Sequence, residues 1–405
     1  MITRGQLEQI AVKFYPDLSG AALKEWIKDT LAKIRAERES SPYYNGDQID
    51  ELDAVYNLIY GQRANGKTFE ICRKIIDAYL AEDLPSAYIR RLDEMIKPSN
   101  LQDLFNPHIE YIISMTNGEY NSIVYRSRCF YLARYEGNVK VKQDKKPFCR
   151  TYAINTAETT KGQDSGEIKL VCFDEFITRQ FYLSNEFILF QNLLSSIIRN
   201  RSGVKIYMIA NTVSKYAPYF REMGLTRVKD QKQGTIELYK MGKSETKIAV
   251  EYCSESKVSE KVSQYYCFEN PEIEMITSGA WEIALYRHIP KGVGNVPPEL
   301  TFYVIFDDIT LRCGLYIYKD CPLITVSRRY KEIMDPENSI IYSDDLDDPP
   351  DPNPLHQTNL AMTPTRAHDL ILRLIKQHKT FFDTNEDGET FGSWLKWATK
   401  GALKV

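Results

Sequence analysis

The feature that most constrains this chain is the segment GQRANGKT at residues 61–68, which fits the pattern G-x-x-x-x-G-K-[ST]. Such a loop places successive backbone N–H groups against a β-phosphate at the start of a helix. Gly61 and Gly66 give the loop its conformational freedom, Lys67 reaches the β- and γ-phosphates, and the Thr68 hydroxyl binds Mg²⁺. The apolar segment AVYNLIY before the loop predicts a strand, and TFEICRKIIDAYLAED after it predicts a helix. This context indicates a genuine nucleotide-binding loop.

A second motif, KLVCFDEF, predicts a strand with both faces covered that ends in two acids. Asp174 and Glu175 then lie at the carboxyl end of the strand, where open α/β sheets bind ligands. Asp174 can hold Mg²⁺, often through water, and Glu175 can polarise a water for attack on the γ-phosphate. Alone, the motif is equally typical of a capped strand. Together with the loop it predicts nucleotide hydrolysis, and the glutamate favours the additional-glutamate class of P-loop ATPases.

Three more polar residues are candidates for this site, each with a simpler alternative. Asn211 ends the apolar segment VKIYMIAN and either contacts the γ-phosphate or the attacking water, or only begins a turn. Arg199 follows a predicted helix and is either a partner of the helix dipole or an arginine finger for a neighbouring subunit. Lys161 lies in a polar loop, where a solvated lysine is the simpler interpretation. Arg90 and Arg91 end a predicted strand, and we expect them at the active-site rim or at a subunit interface.

The order of segments predicts several domains. Residues 1–46 form an N-terminal helical extension, residues 47–253 an α/β ATPase domain, and residues 254–290 a linker subdomain. Residues 291–405 form a C-terminal α+β domain of meandering strands followed by helices. Strands that alternate with helices predict a mostly parallel sheet in the ATPase domain.

Composition limits which partners and which other kinds of site the chain can have. The net charge of −3 means that any nucleic-acid partner must meet a local basic patch. The eight cysteines contain no C-x-x-C pair, which argues against a zinc site and predicts free thiols in a reducing cytoplasm. No apolar run approaches the roughly 20 residues of a membrane span. One local basic patch, the hairpin GNVKVKQDKKP with Lys140, Lys142, Lys145 and Lys146, is either a solvated turn or a DNA-phosphate contact in a ring pore.

The segments GQRANGKT, AYIRRLD, VCFDEFI, IIRNR and IANTVSKYAPYF together resemble the genome-encapsidation ATPases of small phi-29-like tailed phages. The resemblance covers roughly residues 52–225. It implies a RecA-like ATPase domain, a linker, and a C-terminal domain similar to the RNase H-like nuclease of large terminases. It also implies a homopentameric ring at the portal of an empty prohead, in the host cytoplasm, that drives double-stranded DNA inward with ATP and Mg²⁺. An RNA or protein adaptor can join such a ring to the portal.

The resemblance also implies roles for single residues. Arg63 matches an arginine within the phosphate loop, Arg199 matches a trans-acting arginine finger, and Lys161 matches a lysine supplied by the neighbouring subunit. Asp93 stands where the family has a lysine, and residues 1–46 and the longer C-terminal domain lie outside the family pattern.

Two questions of function stay open on the sequence. Asp307 and Asp308 are the paired acids of the C-terminal strands, and a two-metal nuclease needs more converging carboxylates than these. A vestigial nuclease fold without nuclease activity is therefore expected. Alternatives to a packaging motor are another nucleic-acid-dependent P-loop ATPase, such as a helicase or partitioning motor, and a nucleotide-gated assembly scaffold.

Overall fold

A computed structural model of the chain forms two compact units; the described residues within 2–178 and 185–254 belong to the first, and those within 182–183 and 286–399 belong to the second. The residues it describes are 2–160, 167–178, 182–183, 185–199, 201–212, 217–254, 286–306, 309–333, 335–336, 338–343, 356–357 and 366–399. Most of the predicted linker and of the acidic, proline-rich segment 343–356 lies outside these residues, as do Lys161, Asp307 and Asp308.

The first unit is organised around one sheet of ten strands. These are β1 Tyr56–Gly61, β2 Ser86–Arg90, β3 Ser122–Arg126, β4 Cys129–Glu136, β5 Val139–Gln143, β6 Cys149–Ala153, β7 Leu170–Asp174, β8 Lys205–Asn211, β9 Thr235–Met241 and β10 Thr246–Tyr252. The order is β3-β4-β6-β2-β7-β8-β1-β10-β9, with β5 paired to β4. The six strands from β6 to β10 in this order are parallel, which confirms the predicted parallel sheet. The carboxyl ends of these strands therefore meet along one edge, where β1, β7 and β8 bring the predicted motifs together.

The described residues of the first unit form eight α-helices: α1 Arg4–Phe14, α2 Gly20–Ser40, α3 Asp47–Glu51, α4 Lys67–Glu82, α5 Pro98–Leu101, α6 Ile109–Met115, α7 Glu186–Ile198 and α8 Pro218–Glu222. The first two form the helical hairpin expected for residues 1–46. Leu7 and Ile10 of α1 share a hydrophobic core with Ile71 and Ile75 of α4. The hairpin is thus packed on the helix that follows the phosphate loop.

The second unit has a six-stranded sheet in the order β15-β14-β11-β12-β13-β16. Its strands are β11 Leu300–Phe306, β12 Ile309–Tyr318, β13 Cys321–Arg329, β14 Ile340–Ser343, β15 His356–Gln357 and β16 Thr380–Phe382. The first three form the predicted antiparallel meander, while β14 runs parallel to β11, β15 parallel to β14, and β16 parallel to β13. Helices α9 Arg366–Lys376 and α10 Asn385–Ala398 pack on this sheet through a core that contains Phe391 and Trp394.

The helix α10 begins in a polar, acidic segment of the chain. The acidic segment before Phe391 belongs to its first turns, because the Thr384 side chain accepts a hydrogen bond from the Asp387 N–H and the Asp387 carboxylate accepts one from the Thr384 N–H. This reciprocal capping box satisfies two backbone donors that would otherwise lack partners. The polar segment is therefore a helix start.

The cysteines within the described ranges agree with the prediction of free thiols. Seven cysteines lie within the described ranges, and all are free thiols, six of them buried. Among the helices that the structure describes, none combines the length and apolar character that a bilayer span requires.

Candidate active site

The phosphate loop joins the end of β1 to the start of α4, as predicted. Gly66 has a φ of 94°, in the left-handed region, and a Cβ there would lie 2.9 Å from the Tyr43 Cβ. Gly61 is required for a different reason: a Cβ on it would lie 2.8 Å from the Cys253 Cβ, although its backbone is that of an ordinary strand. Only one of the two glycines thus serves backbone conformation, and the other permits a close approach of β10.

The Lys67 side chain is folded over its own loop. Its Nζ donates to the Gln62 carbonyl at 2.7 Å, to Asn65 Oδ1 at 3.0 Å and to the Gly61 carbonyl at 3.4 Å. Burial lowers the pKa of this ammonium to about 8. A buried cation held only by neutral oxygens gains strongly from an anionic ligand, so the loop is suited to bind phosphate.

The two predicted acids lie at the carboxyl end of β7, and a single arginine pairs with both. Arg90 Nη1 donates to Asp174 Oδ2 at 2.9 Å, and Arg90 Nη2 donates to Glu175 Oε2 at 2.7 Å. Tyr88 OH also donates to Asp174 Oδ2. Tyr88 and Arg90 come from β2, which lies beside β7 with Ile89 opposite Phe173. Arg90 therefore lies beside the two predicted acids.

Arg91 fixes the backbone immediately after the acids. It is buried, and it donates to the carbonyls of Glu175 and Phe176 at 3.0 Å each. Its Nε is 2.8 Å from the Glu186 carboxylate, which also accepts a hydrogen bond from Tyr219 OH. Glu175 itself has a φ of 61°, and its N–H donates to the Ile209 carbonyl at 2.8 Å. The turn that presents Glu175 is therefore held by β8 and by Arg91; the sequence predicted Arg91 at the active-site rim or a subunit interface, without these backbone contacts.

These elements surround one cavity of about 380 Å³. Its lining includes most of the predicted nucleotide-site residues: Arg63, Gly66, Lys67, Thr68, Asp174, Glu175 and Asn211. Asn211 reaches it because β8 pairs with β1 so that Asn211 lies opposite Gly61. Residues from three separate predictions thus meet at the same place.

The donor set of this cavity fits Mg²⁺. A hydroxyl from Thr68 and a carboxylate from Asp174 both line it, and Mg²⁺ prefers such hard oxygen ligands. Asp174 Oδ1 accepts no hydrogen bond from any residue within the described ranges, whereas Oδ2 is taken by Tyr88 and Arg90. One carboxylate oxygen is therefore available for an ion or for its water shell.

Other predicted residues are not brought to the cavity. Arg199 ends α7, is exposed, has a φ of 51° and donates from Nε to the Ser196 carbonyl at 3.3 Å. Lys161 lies outside the described residues. The basic hairpin is on β5 and the segment after it, where Lys142 pairs with Glu119 and Lys140 donates to Gln143 at 2.7 Å.

Residues 38–263, more than half of the chain, match the family described as Podovirus DNA encapsidation protein (Gp16). The chain belongs to this family. The resemblance to phi-29-like packaging ATPases is thereby confirmed. Asp93 forms an ion pair of 2.6 Å with Arg128.

Individual relatives agree with the family match. The DNA packaging proteins of Bacillus phages phi29 and PZA are each 25% identical to the chain over 186 residues, which is 45% of the chain. The chain spans about half the length of these curated relatives, 50% in each case.

Two solved structures have a similar fold. One is described as the Phi-28 gp11 DNA packaging motor, with a TM-score of 0.54, 17% identity, and coverage of 90% of this chain and 100% of that chain. The other is described as the bacteriophage Phi-29 viral genome packaging motor assembly, with a TM-score of 0.51, 17% identity, and coverage of 85% and 96%. At these identities the likeness shows the fold alone.

Proposed function

We propose that the chain is an ATP-driven motor that moves double-stranded DNA into a viral prohead as a homo-oligomeric ring. One observation carries the proposal: the phosphate loop, the Asp174-Glu175 pair and Asn211 line a single cavity in a chain of the DNA encapsidation family. The curated relatives are DNA packaging proteins, and the family resemblance supports a pentamer that binds the portal, directly or through an RNA or protein adaptor, in the host cytoplasm.

In this mechanism each group has a defined task. The loop amides and Lys67 bind the phosphates of ATP, and Arg63 contacts them from within the loop. Thr68 and, through water, Asp174 hold Mg²⁺, which neutralises charge on the phosphates when it is bound. Asn211 orients the γ-phosphate or the attacking water.

Glu175 is the general base that takes a proton from the attacking water. Its Oε2 accepts a hydrogen bond from Arg90 in this structure, so proton transfer to that oxygen requires the Glu175–Arg90 pair to loosen. Arg199 and Lys161 of a neighbouring subunit complete the site, and the exposure of Arg199 supports that role.

We extend the proposal to the domain plan. Residues 1–46 are the helical extension, 47–253 the RecA-like ATPase domain of the additional-glutamate class, 254–290 the linker, and 291–405 an RNase H-like domain. The strand order β13-β12-β11-β14-β15, with β12 antiparallel to the other four, is that of RNase H-like folds and supports this assignment. A vestigial nuclease fold without nuclease activity remains part of the proposal; Asp307 and Asp308, directly after β11, lie outside the described residues.

The basic hairpin is a candidate DNA contact in this proposal. Lys140, Lys142, Lys145 and Lys146 would hold phosphates without reading sequence, as a packaging motor requires. The pairing of Lys142 with Glu119 lowers the charge available there, so the contact would be weak in each subunit and would depend on the whole ring.

The test is Glu175→Gln compared with wild type in DNA-stimulated ATP turnover and in packaging with purified proheads. The amide cannot accept a proton, so we expect turnover to fall by at least about 100-fold while nucleotide binding is kept. DNA should become protected from added nuclease with wild type only. Glu222→Gln, which alters an acid paired with Arg221 on the surface, is the matched control.

The alternatives predict other results. A helicase would separate strands without protecting DNA in proheads. An assembly scaffold would bind ATP and show neither protection nor a loss of turnover in Glu175→Gln. Unchanged turnover in that variant would reject the mechanism.

A further inference from the structure

A buried ion pair lies beside the turn at Glu175 and has no task of its own in the mechanism above. Arg91 and Glu186 are 3% and 4% exposed, and Arg91 Nε donates to Glu186 Oε2 at 2.8 Å. Charges are costly to remove from water, and an apolar pair of similar volume often stabilises a fold as well or better. Stability alone therefore gives little reason for a charged pair at this position.

The Arg91 guanidinium connects Glu186 to the backbone that presents the general base. Its Nη1 donates to the Glu175 carbonyl and its Nη2 to the Phe176 carbonyl, at 3.0 Å each. Glu175 has a φ of 61°, a conformation that is unfavourable for a residue with a side chain and persists only where its surroundings hold it. Because a guanidinium is planar and rigid, the position of Glu186 helps to set the position of both carbonyls.

The other carboxylate oxygen of Glu186 is held as well. Tyr219, which is fully buried, donates from its OH to Glu186 Oε1 at 2.8 Å. The centroid of the Tyr219 ring lies 5.8 Å from that of Phe176 and 5.9 Å from that of Phe190. Phe176 directly follows Glu175, and Phe190 belongs to α7. Packing and hydrogen bonds thus join the same turn to the same helix.

Glu186 is the first residue of α7, a helix of 13 residues and roughly 20 Å, and Arg199 directly follows the last. We propose that Glu186 is a positioning residue for Glu175 and acts through Arg91. The helix α7 then fixes the general base of its own subunit while it presents Arg199 to the neighbouring subunit. This inference rests on the proposed function, and it adds a residue for which the sequence predicted no role.

The first experiment measures DNA-stimulated ATP turnover of Glu186→Gln, with the full chain assembled on purified proheads. The amide has no charge and offers one acceptor oxygen where the carboxylate offers two. We expect kcat to fall by at least about 10-fold because the base is displaced, with an unchanged KM for ATP. Binding of a non-hydrolysable ATP analogue with Mg²⁺ should also be unchanged, which shows that the variant is folded.

A double variant separates a positioning role from a structural one. In Glu175→Gln the base is already absent, so the addition of Glu186→Gln should change the residual turnover by less than about 2-fold. Damage to the fold would instead lower the active fraction of the protein, and so the turnover, by the same factor with and without the base. An equal factor in the two backgrounds would overturn the proposal.

Tyr219→Phe tests the same assignment if Glu186→Gln does not fold. This change keeps the ring and the ion pair and removes only the hydrogen bond to Glu186 Oε1. We expect kcat to fall by about 3-fold with KM unchanged. Glu237→Gln is the matched control, because Glu237 of β9 pairs with Arg227 at 3.1 Å and neither residue lines the nucleotide cavity. Its turnover should equal that of wild type.

Glu175→Gln alone separates the failure of this inference from the failure of the proposed function. If it loses turnover while Glu186→Gln and Tyr219→Phe match wild type, α7 does not position the base and the proposed mechanism stands. If it turns over like wild type, the general base itself is wrong. Weaker binding of the ATP analogue by Glu186→Gln would reject a role confined to the base.

Discussion

Arg90 is the residue that joins the two acids of the candidate site, because its guanidinium pairs with both Asp174 and Glu175. Arg90→Ala leaves two neighbouring carboxylates without a shared cation, so we expect the first unit to lose about 2 kcal/mol of stability. Mg²⁺ with ADP should restore part of this loss, since the ion supplies positive charge beside Asp174. Thermal unfolding with and without Mg²⁺ and ADP measures both effects.

The control for this prediction is Arg4→Ala, which removes an exposed arginine that pairs with Glu8 on the surface of α1. A surface pair of this kind contributes little, so its unfolding temperature should stay close to that of wild type. If Arg90→Ala loses the same amount of stability with and without Mg²⁺ and ADP, then Mg²⁺ does not replace the positive charge of the Arg90 guanidinium beside the two acids.

Single residues differ in how far sequence predicts them. Lys67, Thr68, Asp174 and Glu175 follow from local motifs whose spacing is fixed by the chemistry of phosphate binding. The pairing of Arg90 with the two acids depends on β2 lying beside β7, a neighbour relation that no local pattern encodes. The signal was nonetheless present, because Arg90 ends a predicted strand of the same sheet and parallel strands end at one edge.

At the scale of elements, the start of α10 shows how a polar segment acquires structure. Thr384→Ala removes the side chain that caps the helix, so we expect the second unit to lose about 1 kcal/mol in free energy of unfolding. Denaturant unfolding followed through the fluorescence of Trp394 and Trp397, both on α10, measures this change. Asp383→Asn alters the adjacent exposed acid without touching the cap and should leave stability unchanged. Equal stability of Thr384→Ala and wild type would contradict the capping assignment.

The strand β10 carries a carboxylate whose titration should be visible in the stability of the first unit. Burial raises the pKa of Glu251 to about 7, even though Tyr44 OH donates a hydrogen bond to it. The unfolded chain releases this proton near its ordinary pKa of about 4.5, before the folded chain does. Each increase in pH between these values therefore favours the unfolded state, and stability is lost as pH rises towards 7.

Glu251→Gln should remove this pH dependence. The amide oxygen still accepts the hydrogen bond from Tyr44 and cannot ionise, so the variant should be more stable than wild type by about 2 kcal/mol at pH 8 and similar to it at pH 4. Denaturant unfolding of the first unit at several pH values measures the difference. Glu245→Gln, an exposed acid on the turn before β10, is the control and should follow the wild-type curve. A constant difference between Glu251→Gln and wild type across this range would show that Glu251 does not titrate there.

Elements were easier to predict than their arrangement. The strands and helices around the phosphate loop follow from hydrophobic patterns, because a strand with both faces buried or a helix with one buried face leaves a clear period. The position of β14 beside β11 depends on contacts between distant segments, and so does the packing of α1 on α4. Such contacts depend on how all the elements of the core pack together, and the pattern of a single segment does not contain them.

At the scale of the whole molecule, the position of Arg199 is best understood in a ring. It lies at the exposed end of α7 and is not part of the lining of its own nucleotide cavity. A ring built from one kind of subunit joins different faces of its members, so a residue at one face can act in the site at the neighbour's face. The proposed arginine finger is thus a property of the assembly, which a single chain cannot display.

Two variants that are each inactive should recover turnover when they are mixed before assembly. Glu175→Gln lacks the general base and keeps Arg199, while Arg199→Ala lacks the finger and keeps Glu175. A site in a mixed ring is complete when an Arg199→Ala subunit receives Arg199 from a Glu175→Gln neighbour. With equal mixing, about half of the subunits keep Glu175 and about half of their neighbours keep Arg199, so about a quarter of wild-type turnover per subunit should return. Steady-state ATP turnover with DNA and proheads measures the recovery, and mixing rings after assembly is the control. No recovery on mixing would place Arg199 in the site of its own subunit or outside catalysis.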